Sequence, residues 1–190
     1  MPPNDAVVDV EAGTEVESER RMQARTQVIE AIAKTMDLYG ATYSSGQLYG
    51  IMFFEDRPMT LDEMKTKMNM SKSNMSYAVR SLIESQMVKK LEEKLERKEL
   101  FAAEVDFFQA FQHFFTHKLQ REVDVMTSVI EQALPALREI LQGDVSGEEK
   151  RLTEQDLHKL EHAEAYYTWL QQFVDRLRSG AMFRNGAGKE

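Results

Sequence analysis

Ser71, Lys72, Ser73, Asn74, Ser76, Tyr77 and Arg80 all fall within one ten-residue stretch, SKSNMSYAVR. These side chains form no nucleophile–base pair and no metal-binding set. They offer hydrogen bonds and positive charge. Lys72 and Arg80 can neutralise phosphates, Arg80 can grip a guanine edge with two parallel bonds, and the hydroxyls and amide suit base edges and phosphate oxygens. On helical spacing, Met75, Val79, Leu82 and Ile83 share one face, with Ala78 beside them. Ser73, Tyr77, Arg80 and Glu84 form the opposite stripe, flanked by Lys72 and Ser76. Such a helix fits the major groove of duplex DNA. It is equally the pattern of an ordinary solvated surface helix, so its surroundings have to decide.

Net charge taken alone argues against DNA, since the 190 residues carry a net −8. The distribution reverses that inference. Residues 57–98 hold ten Lys/Arg and six Asp/Glu, a local +4, so the remainder sums to −12. Six acids against one base crowd the first 20 residues, which read as a disordered acidic tail without the basic start and apolar run of a signal peptide. A locally basic module on an acidic chain can bind DNA while the rest of the surface repels it.

The elements that would position this helix follow from pattern. RMQARTQVIEAIAKTMDL (21–38) has helical apolar spacing, and SSGQLYGIMFF (44–54) reads as a short buried helix that ends before Pro58. Thr60-Leu61-Asp62-Glu63 is a capping box that opens a helix running to about Asn69, after which Ser71 can cap the next one. Two short helices joined by a few residues, the second amphipathic, make a helix-turn-helix pattern. For MVKKLEEKLERKELFAAEV (87–105) two readings stand: strands Val88–Leu91 and Lys98–Val105 around an EEKLER tip, or a continued helix. The helix-forming residue types, and the lack of any Gly or Asn-Gly turn, favour helix locally. From Asp106 a long helix carries an aromatic stripe (Phe107, Phe108, Phe111, Phe114, Phe115) into an aliphatic one, with Pro135 predicting a kink or restart. GDVSG (143–147) links it to a final helix over about 148–178.

This order of elements resembles the MarR-type winged-helix transcriptional regulators, and most closely their GbsR-like branch. The residues that carry the resemblance are YGATYSSGQLYGIMFF, RPMTLDEMKTKMNMSKSNMSYAVRSL, RKELF and VDFFQAFQHFF. It implies a mainly α fold: a winged helix-turn-helix with a small β-hairpin wing, flanked by long N- and C-terminal dimerisation helices. The expected organisation is then a disordered acidic tail (1–20), an N-terminal dimerisation helix (21–40), a DNA-binding domain (41–106), C-terminal dimerisation helices (107–178) and a frayed tail (179–190). The resemblance places RKELF at the return strand, so that Arg97 sits at the wing tip as a minor-groove residue with Lys98 beside it. The glycine-free, acidic EEKLE departs from the family pattern at the tip.

The resemblance further implies a cytoplasmic homodimer that represses genes for choline or glycine betaine uptake or synthesis. The effector expected on family grounds is choline or a related quaternary ammonium, which cannot donate a hydrogen bond and so calls for aromatic faces. Tyr39, Tyr43, Tyr49, Phe53 and Trp169 are the candidate rings, although each could equally be a core residue, just as the apolar stripes could be core rather than interface. A MarR-type regulator of an unrelated hydrophobic ligand and a helical scaffold without DNA binding are the competing readings. The histidines pair at helical spacing, His113/His117 and His158/His162, but HFFTH and HKLEH lack the glutamate of a zinc protease, and no metal or other cofactor is expected. Nucleotide-binding loops, a GxSxG motif and cysteine are all missing, so no enzymatic chemistry is expected.

Overall fold

A computed structural model describes the backbone of residues 5–183 and the side chains of residues 16–183. The elements run α1 (Asp5–Leu38), α2 (Tyr43–Glu55), β1 (Met59–Thr60), α3 (Leu61–Met68), α4 (Lys72–Glu84), β2 (Val88–Leu95), β3 (Lys98–Ala103), α5 (Phe107–Gln142) and α6 (Gly147–Arg178). The chain divides into two compact units, residues 1–106 and 107–190. No helix among the described residues is long and apolar enough to cross a membrane.

In the first unit α1 and α2 meet backbone to backbone. A Cβ at Gly46 would stand 2.7 Å from the Cα of Ala33, and one at Gly50 would stand 3.1 Å from the Cα of Ile29. Two glycines one helical turn apart therefore permit the close approach. α1 starts at Asp5, within the stretch expected as an unstructured tail.

The capping box at α3 forms in full. The Glu63 N–H donates to Thr60 Oγ1 (3.3 Å), and the Thr60 N–H donates to the Glu63 carboxylate (2.7 Å). Asn69 then turns left-handed (φ 49°) and closes α3, and Ser71 caps α4 by accepting from the Asn74 N–H at 3.3 Å. α4 turns Met75, Ala78, Val79 and Leu82 inward, where they join Leu48, Tyr49, Met52, Met59, Met64, Val88 and Phe101 in the buried core.

The segment after α4 is a β-hairpin, which overturns the local preference for helix. β2 and β3 pair antiparallel from Val88↔Ala103 to Leu95↔Lys98, with an irregularity between Lys90 and Lys94, and β1 adds a third strand in the order β1-β3-β2. Glu96 and Arg97 make the turn with φ of 49° and 71°. Two left-handed residues match the twist of a tight hairpin, and here they are a charged pair in place of Asn-Gly. Pairing with the distant β1, together with burial of Val88 and Phe101, outweighs the helix propensity of Leu, Glu and Lys.

The second unit is a helical hairpin. Gln112 bonds to Arg178, Gln120 to Gln171, and Arg138 to Glu161, which fixes α5 and α6 antiparallel. Pro135 lies inside α5 without ending it. Pro135 and Glu131 are both exposed, so water can serve the carbonyl that loses its donor. Of the expected frayed tail, residues 179–183 follow α6 as a turn with Gly180 left-handed (φ 68°), and 184–190 lie outside the described residues.

Candidate nucleic-acid interface

α4 sorts its residues by chemistry. Ser71, Lys72, Ser73, Asn74, Tyr77 and Arg80 are exposed and Ser76 is half-buried, while their apolar neighbours are sealed in the core. Tyr77 leaves 64% of its surface open, an unusual exposure for a ring that has no structural task there. The Ser71 oxygen is occupied by the cap, so its hydroxyl proton remains to be donated, which suits a phosphate better than a base edge. α4 therefore carries one continuous hydrogen-bonding face on a rigid support.

The wing brings further cations, but not all are available. Lys90 pairs with Glu99 at 2.5 Å, Lys89 with Glu104 at 3.3 Å, and Lys98 with Asp62 of α3 at 3.0 Å. Lys72, Arg80, Lys94 and Arg97 have no ion pair among the described residues. Arg97, at the hairpin turn, is exposed on the wing tip. The Lys98 ammonium lowers the Asp62 carboxyl below the usual range, and Asp62 in turn raises Lys98.

α3, on which α4 packs, is held at both ends by charge. At its C-terminal end Lys67 bonds the Glu55 carboxylate of α2 at 2.9 Å, and Arg25 of α1 approaches the same carboxylate at 3.7 Å. Arg25 also donates to the Phe54 carbonyl at 2.6 Å and stacks over the Phe54 ring. At its N-terminal end Arg57 pairs with Glu63 at 2.9 Å. Glu55 is shifted below the ordinary glutamate range chiefly by its hydrogen bond to Lys67, and Glu63 by the Thr60 N–H.

The expected effector rings divide between the two units, Tyr39, Tyr43, Tyr49 and Phe53 in the first and Trp169 in the second. Tyr49 is buried, its phenol donating to the Glu104 carbonyl at 2.7 Å, and its ring lies 6.4 Å from that of Phe53. Burial, with Glu104 and Asp106 nearby, raises the Tyr49 phenol well above its usual value. Tyr39 and Tyr43 are exposed around the α1–α2 turn. Trp169 belongs to the second unit, where it stacks on Phe173 at 5.8 Å with Tyr166 on its other side at 5.9 Å. A cavity of about 570 Å³ between α5 and α6 is lined by Asp124, Glu131, Glu164 and Tyr167, among others, and by none of the five expected rings. His117, His158 and His162 are exposed, and no cluster of three potential metal ligands occurs among the described residues.

Residue-type reasoning missed Asp62, Glu55 and Lys94. Asp62 was visible only as a first-turn acid of a capped helix, and nothing local links it to Lys98.

Comparison with known proteins agrees with this architecture. Residues 107–184 match the C-terminal helical hairpin of the GbsR family of transcriptional regulators. The chain is 43% identical over 163 residues to the HTH-type transcriptional repressor GbsR of Bacillus subtilis (strain 168), covering 85% of this chain and 90% of that protein. It is 31% identical over 162 residues to the HTH-type transcriptional repressor OpcR of the same organism, covering 85% and 88% respectively. A solved structure described as a transcriptional regulator superposes with a TM-score of 0.50 at 18% identity, over 80% of this chain and 99% of that one, a likeness of fold alone.

Proposed function

Because the chain belongs to the GbsR family of transcriptional regulators, we propose that it is a dimeric, cytoplasmic repressor that reads its operator with α4 and the wing and answers to a quaternary ammonium compound. DNA binding and transcription regulation follow from the family. The assignment of residues is the new part. Its main support is the exposed face of α4, where Lys72 and Arg80 make no close ion pair among the described residues and stand beside Ser73, Asn74, Ser76 and Tyr77, with Arg97 at the wing tip. Arg80 is the base-reading candidate, Lys72 and Ser71 suit phosphates, and Arg97 suits the minor groove.

For the effector, support comes from the branch of regulators the sequence resembles and from the exposed rings of Tyr39, Tyr43 and Trp169. A cation is held best against an aromatic face, and it moves the DNA-binding equilibrium only if its affinity differs between the two states. The buried, internally bonded Tyr49 favours a second reading in which that ring is structural and the effector site lies elsewhere.

The deciding experiment titrates the protein into labelled duplex from upstream of its own gene, beside a scrambled duplex, at roughly 50 and 200 mM salt with and without choline. Preferential binding to the upstream duplex, weakened by salt and altered by choline, supports the whole reading. Binding that responds to no quaternary ammonium removes the effector assignment and leaves the regulator. Equal binding to both duplexes removes autoregulation.

A further inference from the structure

The Asp62–Lys98 pair puts a carboxylate inside the cationic module that has to meet DNA. Asp62 lies in the first turn of α3, two residues after the Thr60 cap, and Lys98 is the first residue of the return strand of the wing. Their side chains meet at 3.0 Å although both are more than half exposed, so neither is forced there by burial. Lys65 and Lys72 add to the positive field at the same carboxylate. The Asp62 carboxylate thus faces three cations near the start of the reading helix, and it is the one anion bonded to Lys98, which Glu96 and Glu63 influence only from farther off.

We propose that Asp62 is a specificity-determining residue for DNA binding, an intramolecular stand-in for a phosphate that occupies Lys98 until a correctly placed duplex displaces it. The physical consequence is a subtraction. A free lysine adds to the affinity for any DNA, because the non-specific term is mostly phosphate neutralisation. A lysine already held by a carboxylate gains little from an arbitrary phosphate, since one ion pair is exchanged for another. It gains only where the duplex geometry brings a phosphate close enough to Lys98, with the wing still docked on α3, to win that exchange. Discrimination then rests on weakening the wrong complexes as well as strengthening the right one.

The proposal rests on the DNA-binding reading and can be tested apart from operator identity. The probe is a random-sequence duplex of about 30 base pairs, with affinity followed against salt. Asp62→Asn is expected to bind it several-fold more tightly, with a log–log salt slope steeper by about 0.9, the increment for one additional phosphate contact. Lys98→Gln is expected to change the slope little in the wild-type background and to remove the full increment in the Asp62→Asn background. Glu92→Gln makes the same charge change on the exposed wing strand without a cation partner, and measures the effect of net charge alone. Thermal melts of each variant separate these effects from loss of the α3 first turn, which would lower stability without steepening the slope. If Asp62→Asn matches Glu92→Gln, or the Asp62 and Lys98 effects simply add, the inference is wrong and DNA binding stands. If the wild type shows no salt-dependent affinity for this duplex or for the upstream one, the DNA-binding reading and the inference fall together.

Discussion

Single side chains in this protein separate into those spent inside the fold and those left to meet a partner. Arg80 is of the second kind: its helix packs through Met75, Val79 and Leu82, so truncating Arg80 removes no core contact. Arg80→Ala should weaken operator binding by about 1–3 kcal/mol, the worth of a good base contact, and leave the melting temperature unchanged. Anisotropy titrations beside thermal melts would check it; an equal loss on scrambled duplex would demote Arg80 to a phosphate contact. Tyr49 is of the first kind. Tyr49→Phe leaves the Glu104 carbonyl without its phenol donor and should cost about 1–2 kcal/mol in urea unfolding while preserving any choline response. A variant of full stability that no longer answers to choline would restore Tyr49 to the effector site. The polar face of α4 was legible in the sequence because it depends on local periodicity. The fates of Tyr49 and Lys98 were not, because each is decided by a partner far along the chain, the Glu104 carbonyl and the Asp62 carboxylate.

At the scale of elements, the same division explains why the helices could be read from local sequence while the wing was legible only through the family resemblance. Thr60, Glu63 and Ser71 announce the ends of α3 and α4 through bonds to residues three positions away. The hairpin turn instead falls on Glu96 and Arg97, residues with no turn signature, and is imposed by pairing that reaches back to Met59. The close contact of α1 with α2 is equally non-local, and it predicts that Gly46→Ala destabilises the first unit. Ordinarily the change would favour a helix by close to 1 kcal/mol; here the added methyl would stand 2.7 Å from the Ala33 backbone, so the helices must part. A denaturation midpoint above wild type would refute the close contact. The charged ends of α3 give a pH dependence of definite sign. Glu55 and Glu63 are depressed in the folded state, so their stabilisation is complete above the ordinary glutamate value of 4.5 and drains away as pH falls through their folded values. Glu63→Gln should therefore flatten the loss of melting temperature between roughly pH 5 and pH 3.

For the molecule as a whole, exposed apolar residues bear on the proposed dimer as the basic segment bears on DNA. Met22 and Val28 on α1 and Val125 and Val129 on α5 expose between 41% and 58% of their surfaces. Val125 and Val129 lie one helical turn apart on the same face of α5, and an apolar stripe of that kind on a long helix is costly to leave in water. In the proposed dimer a second copy would cover it. One reading helix grips a single half-site weakly, whereas a two-fold dimer presents two at the spacing of a helical turn and multiplies their affinities. Light scattering should accordingly return twice the 22.0 kDa chain mass. Val125→Glu combined with Val129→Glu should shift the protein toward the monomer, and affinity for a two-half-site duplex should fall far more than affinity for a half-site duplex. The two readouts guard each other. Loss of the dimer with equal affinity for both duplexes would mean that one protomer reads the operator alone, and a dimer untouched by both charges would place the interface on other helix faces.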